Sequence, residues 1–485
     1  MPKIDHIFVL MLENRSFDHL FGLLGLPGVN PPPMSFGFKA GATDQLANDP
    51  PHSFDDVKAQ INDGAMDGFS ASGGSGSMRG FSPADVPVLF KLAQDNLLMD
   101  NWFSSMPGST WPNRYFVHAG SSGGLDNDLN ELDIFGAETL PLFALQFPNG
   151  HIFDRMTTKG VPWSVYRGDS FPQVLSLPGM IHKKSMGTSY FRKMTDFKSD
   201  IASNNVAGYT FIEPYYDNFN SAKSSNSMHP LGSVHTGESL IAYIYNTIFT
   251  STIGASSLLV ITWDEHGGFF DHVKPPAAVA PGDGMLNQHR AKNPRNFAFD
   301  KFGVRVPTLL ISPWLPTGLG STVFGSGQTF DHSSVLRALC STFNLGSQFT
   351  ERDKASPDWN DVLRSSPRTL ALDLPRAAAP AFKLTSARSI KANTKGPING
   401  NLVGTVQIAL DMDMYLAERL GLQPLASSSH GKHIARAQGI LTGSKRSAKL
   451  LTHLAQRNLL QYLAAVEERD ALHDKKTTAK TIRTK

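Results

Sequence analysis

Cysteine is almost missing from the chain: among 485 residues only Cys340 carries a thiol. One thiol builds neither a disulfide framework nor a thiolate cluster, so any metal here rests on oxygen and imidazole donors. An excess of one charge is missing too. The 45 Lys and Arg against 42 Asp and Glu leave a net charge of +3, too near neutral to argue for a nucleic-acid partner. No zinc knuckle or aromatic-basic RNA signature stands in for it. No apolar run approaches the roughly 20 residues that span a bilayer. No basic segment, apolar stretch and small-residue cleavage site precede the first strand pattern, so a cytoplasmic protein without a cleaved export signal is expected, one that at most touches a membrane surface. Disorder is excluded by composition: 40% hydrophobic residues with 31 Phe, and only 18% charged residues, describe a globular chain with a sizeable core.

The apolar run from Ile7 to Leu12 is too short for a helix and has no helical stripe, which predicts a strand buried on both faces. It stops at Glu13 and Asn14. In open α/β sheets the ligand crevice lies outside the carboxyl ends of the strands, where an acid and an amide offer hard oxygen ligands for a divalent cation. From this stretch alone, capping of the following helix explains them equally well. A second doubly buried strand, Leu258 to Trp263, ends in Asp264, Glu265 and His266 followed by two glycines, and that repetition favours a ligand site. Between them stands the turn Pro107 to Arg114, PGSTWPNR, followed by a helical pattern over Tyr115 to Ala119. A hydroxyl held there, on Thr110 or Ser109, sits where helix N–H groups favour an anion, so either is a candidate nucleophile; a simple cap is the structural alternative.

The remaining chain supplies organisation. An irregular excursion is expected over Asn30 to Asn62, a mobile loop over Gly64 to Gly80, and an amphipathic helix over Pro83 to Ala93. Further strands are expected at Val161 to Tyr166, Tyr209 to Ile212 and Val304 to Ser312, the last at an edge or bulged because Pro307 lies inside it. Glu238 to Phe249 has helical periodicity, and FDHSSVLR from Phe330 opens a helix that Asp331, Ser333 or Ser334 caps. His332 stands at that start, where a structural histidine is commoner than a catalytic one. Beyond Leu374 the composition turns to Ala, Pro and Lys, giving a division into 1–373 and a 374–485 extension of linker, helices at Val406 to Leu420 and Ala448 to Glu467, and a basic tail.

Together Glu13, Asn14, Thr110, Asp264 and Glu265 make an all-oxygen metal set around a hydroxyl, and His52, His229 and His332 are imidazoles suited to phosphate oxygens or a leaving group. Phosphoryl transfer needs little else. Five motifs in this order, ENRSFDHLFG, PGSTWPNR, MHP, WDEHGG and FDHSSVLR, resemble the phosphoesterase family of phosphatidylcholine-type phospholipases C and related acid phosphatases over Ile4 to Leu345. The resemblance implies an alkaline-phosphatase-like α/β fold, a central largely parallel sheet flanked by helices, with metal on Glu13, Asn14, Asp264 and Glu265 and phosphorylation of Thr110 during turnover. It also places His52 and His229 near the phosphate and gives His332 a family position. Threonine as nucleophile is typical of the phospholipases C, which implies a phospholipid substrate cleaved to diacylglycerol and a phosphorylated head group. An acid phosphatase acting on small monoesters and a non-catalytic metal-stabilised binding protein are the alternatives. Oxygen ligands suit Ca²⁺, Mg²⁺ or Mn²⁺, and the imidazoles keep Zn²⁺ or Fe open.

Overall fold

A computed structural model describes residues 4–128, 145–185, 190–217, 222, 224–287, 293–372, 374, 400–425, 462–473 and 475. Among these the strands are, in chain order, β1 (His6–Leu12), β2 (Lys39–Ala40), β3 (Arg79–Gly80), β4 (Leu97–Leu98), β5 (Trp163–Arg167), β6 (Phe191–Lys193), β7 (Tyr209–Glu213), β8 (Ser257–Trp263), β9 (Thr308–Ile311) and β10 (Gly318–Leu319). Strands β2 and β3 pair with each other, and the rest form one eight-stranded sheet in the order β10-β4-β9-β8-β1-β7-β5-β6. Only β9 runs against its neighbours. The sheet is therefore mixed but mostly parallel, as expected, and helices flank it.

Both strands that end in ligand-type residues sit in its middle. Ile7 to Leu12 and all of β8 are buried, as continuous apolar runs under helix-covered faces must be. They pair in parallel from His6 opposite Ser257 to Leu12 opposite Trp263. Equal ends follow, so Glu13-Asn14 and Asp264-Glu265 leave the sheet side by side.

Some expectations are corrected. Strand β9 lies inside the sheet, between β8 and β4, not at an edge. Pro307 precedes it directly, so the missing N–H falls outside the ladder and the bulge is unnecessary. The excursion before Asn62 contains a helix, Phe54–Ile61, started by a capping box between Ser53 and Asp56. The glycine-rich stretch is not a loop: Phe69–Ser77 is helical and kinked at Gly74 (φ 69°), held because Phe69 is fully buried against the Phe270 ring at 5.4 Å. The helix Ser333–Thr342 has no side-chain cap, since the Ser333 and Ser334 hydroxyls both bond to Asp331 instead.

The helix Gly400–Leu420 belongs to the extension expected after residue 373 and starts earlier than expected. Its Val406, Ile408, Ala409, Met412 and Leu416 are buried in the same apolar cluster as β1. Of Ala448 to Glu467, only 462–467 lies within the described residues, and it is helical. The linker reading after Leu374 and nearly all of the basic tail fall outside them.

Candidate active site

The turn after β1 is fixed by backbone bonds across to β8. Asn14 adopts φ 58°, a left-handed conformation that asparagine tolerates better than most residues. It aims its N–H at Asp264 Oδ1 (3.0 Å), while the Arg15 N–H donates to the Glu265 carbonyl (3.0 Å). Gly267, at φ 64°, passes so close that a Cβ would lie 2.2 Å from the Asn14 carbonyl oxygen. Gly268, at φ 74°, makes a second close approach, a Cβ there lying 2.6 Å from the Pro51 carbonyl oxygen, so both glycines after His266 are needed. The Arg15 side chain, buried over the Phe269 ring, donates Nε–H to the Met228 carbonyl (2.7 Å) and so ties the His229 turn to the same strand end.

Thr110 is the first residue of the helix Thr110–Ala119 and is 2% exposed. The first-turn N–H groups of a helix have no intrahelical partner, which is why Pro112 is tolerated there. Asn113 clamps the preceding turn: its Oδ1 accepts from Met106 N–H (3.0 Å), and its Nδ2 donates to the carbonyls of Gly108 (3.2 Å) and Ser109 (3.0 Å). Arg114 is one turn beyond Thr110, on the same face. It donates Nε–H to Asp264 Oδ2 (2.9 Å), reaches Tyr216 Oη (2.8 Å) and the Leu12 carbonyl (3.2 Å), and lies 3.9 Å from Glu13 Oε1. One guanidinium thus joins the Thr110 helix to both strand ends. Asp128 closes the helix start by accepting from Trp111 N–H (2.8 Å), and burial raises its carboxyl to about 6 although that bond and the nearby His52 work against the rise.

The three histidines have different settings. His52 donates Nδ1–H to the Pro50 carbonyl (2.6 Å) and turns Nε2 to the site, 3.3 Å from Asn14 Nδ2 and 3.9 Å from Glu265 Oε1. When the ring is neutral Asn14 donates to it; when charged it faces Glu265. Burial opposes the charge, but Glu265 and Asp49 outweigh it and raise His52 to about 10. His229 accepts the Leu231 N–H on Nδ1 (3.2 Å), which leaves Nε2 as the protonated nitrogen, 3.5 Å from Asp49 Oδ2, and burial lowers its pKa. His332 has neither nitrogen to spare: Nε2 donates to the Asp264 carbonyl (2.7 Å) and Nδ1 accepts from Trp102 Nε1 (3.4 Å). Its geometry is that of a brace on Asp264.

The oxygen donors suit a divalent cation. Asn14 Oδ1 and Glu265 Oε1 are buried without a hydrogen-bond donor, an arrangement that is costly unless a cation or ligand completes it. Burial raises both the Asp264 and the Glu265 carboxyl, Glu265 to about 7; Glu265 adds to the rise at Asp264, and Asp49 adds to the rise at Glu265. Of the expected ligand set, Asn14 and Glu265 therefore keep an oxygen open to a cation, whereas Asp264 is bonded through both of its oxygens. Among the described residues, the acid and imidazole atoms that converge within 4.8 Å are those of Asp18, Asp271 and His272. That cluster is already compensated: Arg305 pairs with Asp18 (3.0 Å) and Asp271 (3.2 Å), and His272 bonds Asp18 (2.7 Å). It locks the NRSFDH and GGFFDH segments together.

Arg114, Asn113, Asp128, Asp49 and Arg15 escape a sequence reading focused on strand ends. Arg114 alone carried a usable signal, its spacing of one helical turn from the hydroxyl.

The phosphoesterase family model matches residues 4–346. Non-specific phospholipase C3 of Arabidopsis thaliana is 33% identical over 423 residues, covering 77% of this chain and 77% of that protein. Non-specific phospholipase C6 of the same plant is 30% identical, covering 92% and 89%. A non-hemolytic phospholipase C of Burkholderia pseudomallei is 27% identical, covering 70% of this chain and 55% of its own length. A solved protein of the alkaline phosphatase superfamily from Vibrio parahaemolyticus overlaps with a TM-score of 0.32 at 8% identity, over 74% of this chain and 71% of that one. The five motifs that build the site all fall within the matched segment, and the chain belongs to the phosphoesterase family.

Proposed function

We propose that the chain is a phospholipase C-type phosphodiesterase, cleaving a phospholipid into diacylglycerol and a phosphorylated head group with Thr110 as nucleophile. The observation that carries this reading is the 2.9 Å pair between Arg114 and Asp264, which brings the Thr110 helix against the paired strand ends. Similarity to proteins named phospholipase C supports the substrate class. In this reading the Thr110 hydroxyl releases its proton to water as Oγ bonds phosphorus, the bond from phosphorus to the glycerol oxygen breaks, and that oxygen takes a proton as diacylglycerol departs. His52, an imidazolium at neutral pH because its pKa is raised to about 10, is the acid its surroundings favour. Water then releases the phosphorylated head group from Thr110. The neutral His229, which carries its proton on Nε2, is left to hydrogen-bond a phosphoryl oxygen. A divalent cation held by Glu13, Asn14, Asp264 and Glu265, with the Thr110 hydroxyl beside it, would supply charge neutralisation and favour the alkoxide.

The test is hydrolysis of a chromogenic phosphocholine diester beside the matching phosphate monoester, with added divalent metal and after chelation. Preferential, chelator-sensitive cleavage of the diester is expected, and Thr110→Ala should lose at least ~10³-fold in kcat with its circular dichroism unchanged. A folded Thr110→Ala protein with wild-type turnover would remove Thr110 from the chemistry. Cleavage of the monoester alone would reassign the chain as an acid phosphatase.

A further inference from the structure

We propose that the groove beside the nucleophile turn receives the diacylglycerol part of the substrate, an inference that rests on the phospholipase reading above. The groove has a volume of about 1070 Å³. It is walled by the segments that carry the site: Pro107, three residues before Thr110, and Phe54, two residues after His52, both line it. From there it runs along Phe297, Phe302 and Pro276. The Phe54 and Phe297 rings meet at 4.9 Å and belong to a small apolar cluster separate from the main core. This wall is well supported, since the Ser53 capping box fixes the helix that presents Phe54 and Arg295 lies 5.6 Å over the same ring.

Size and charge decide the occupant. A phosphorylated head group is handled by the polar site and needs no further room, whereas about 1070 Å³ matches or exceeds the volume of drug-sized ligand pockets. Four basic and three acidic side chains line the groove, and Arg295 is already bound to Asp55 at 2.8 Å. So balanced a lining does not select a polyanion. An uncharged moiety with an apolar body fits, and the glycerol carrying two acyl chains is that part of the substrate, departing from Thr110 three residues beyond Pro107.

Groove-filling variants test the assignment. Ala298 and Ala277 line the groove and are exposed, so tryptophan can be accepted at either without invading the core. Metal-loaded, full-length Thr110→Ala protein is titrated with monomeric dihexanoyl phosphatidylcholine and with phosphocholine, with and without Ala298→Trp. About a tenfold loss of affinity for the diacyl lipid, with phosphocholine unaffected, is expected. Ala277→Trp, on a separate segment, should reproduce it. Equal lipid affinity in all three backgrounds overturns the groove, as does failure of every background to bind the lipid more tightly than phosphocholine. If lipid binding depends on the groove but wild-type protein cleaves no phosphodiester, the proposed reaction falls and the groove stands. If wild type cleaves the diester while both tryptophan variants bind and act as wild type, the groove alone falls.

Discussion

Arg114 shows how one side chain can hold a site together. Its guanidinium is 4% exposed and sits among Asp264, Glu13 and Tyr216. Burial disfavours its charge, but those neighbours outweigh burial and hold it above the ordinary arginine value. Removing it would leave Asp264 buried with one oxygen uncompensated, and breaking one side of a buried pair is costly. Arg114→Met should therefore cost about 3–5 kcal/mol in denaturant unfolding and reduce diester turnover by at least ~10²-fold. Arg114→Lys keeps the charge but not the planar fork that reaches Asp264, Tyr216 and Leu12 together, so it should recover stability in part and turnover less. A fully active, stable Arg114→Met protein would show that the Thr110 helix does not depend on this pair. The ligand-type residues themselves were readable in the sequence because each follows an apolar strand directly. Arg114 left only its one-turn spacing from Thr110 to read, because its partner Asp264 is 150 positions away.

At the scale of elements, strands were the most legible parts and glycine-rich segments the least. β1, β7 and β8 fall within a residue of their predicted bounds because doubly buried strands announce themselves as apolar runs. The Phe69–Ser77 helix did not, since GGSGS has low helix propensity and only burial of Phe69 beneath Phe270 overrides it. The C-terminal extension was legible as a helix but not as a neighbour of the site. Gly404, in the helix Gly400–Leu420, passes so close to Trp111 that a Cβ would lie 2.0 Å from the indole ring. Trp111 follows Thr110 directly, so this helix backs the Thr110 turn. Gly404→Val should then overpack the contact, cost about 1–3 kcal/mol, and lower diester turnover, while Glu418→Ala on the exposed face of the same helix should change neither. Thermal unfolding and turnover on the same preparations check this. Equal behaviour of the two variants would mean that the extension does not support the turn.

Across the whole molecule, several buried carboxylates ionise reluctantly. Burial raises Asp169 to about 8, Glu238 to about 7 and Asp271 to about 7. For Asp169 the neighbouring Asp217 and Glu213 add to the effect, while the bond from Tyr216 N–H opposes it. The folded chain then keeps a proton at Asp169 that the unfolded chain releases above its ordinary value of 3.8. Folded protein binds more protons than unfolded between roughly pH 4 and pH 8, so stability falls as pH rises through that window and levels off above it. The Asp169 share is on the order of 6 kcal/mol as an upper bound, from the distance between the two pKa values. Asp169→Asn keeps an acceptor for Tyr216 N–H and has no proton to lose, so its melting temperature should match wild type near pH 4 and exceed it by several degrees at pH 8. A constant difference between the two proteins at both pH values would place the proton elsewhere. Because Tyr216 also holds Arg114, the same comparison read through diester turnover tells whether the protonation of this acid reaches the catalytic helix: a pH–rate profile of Asp169→Asn that overlays wild type confines Asp169 to stability, and one displaced on its alkaline side extends its influence to the site.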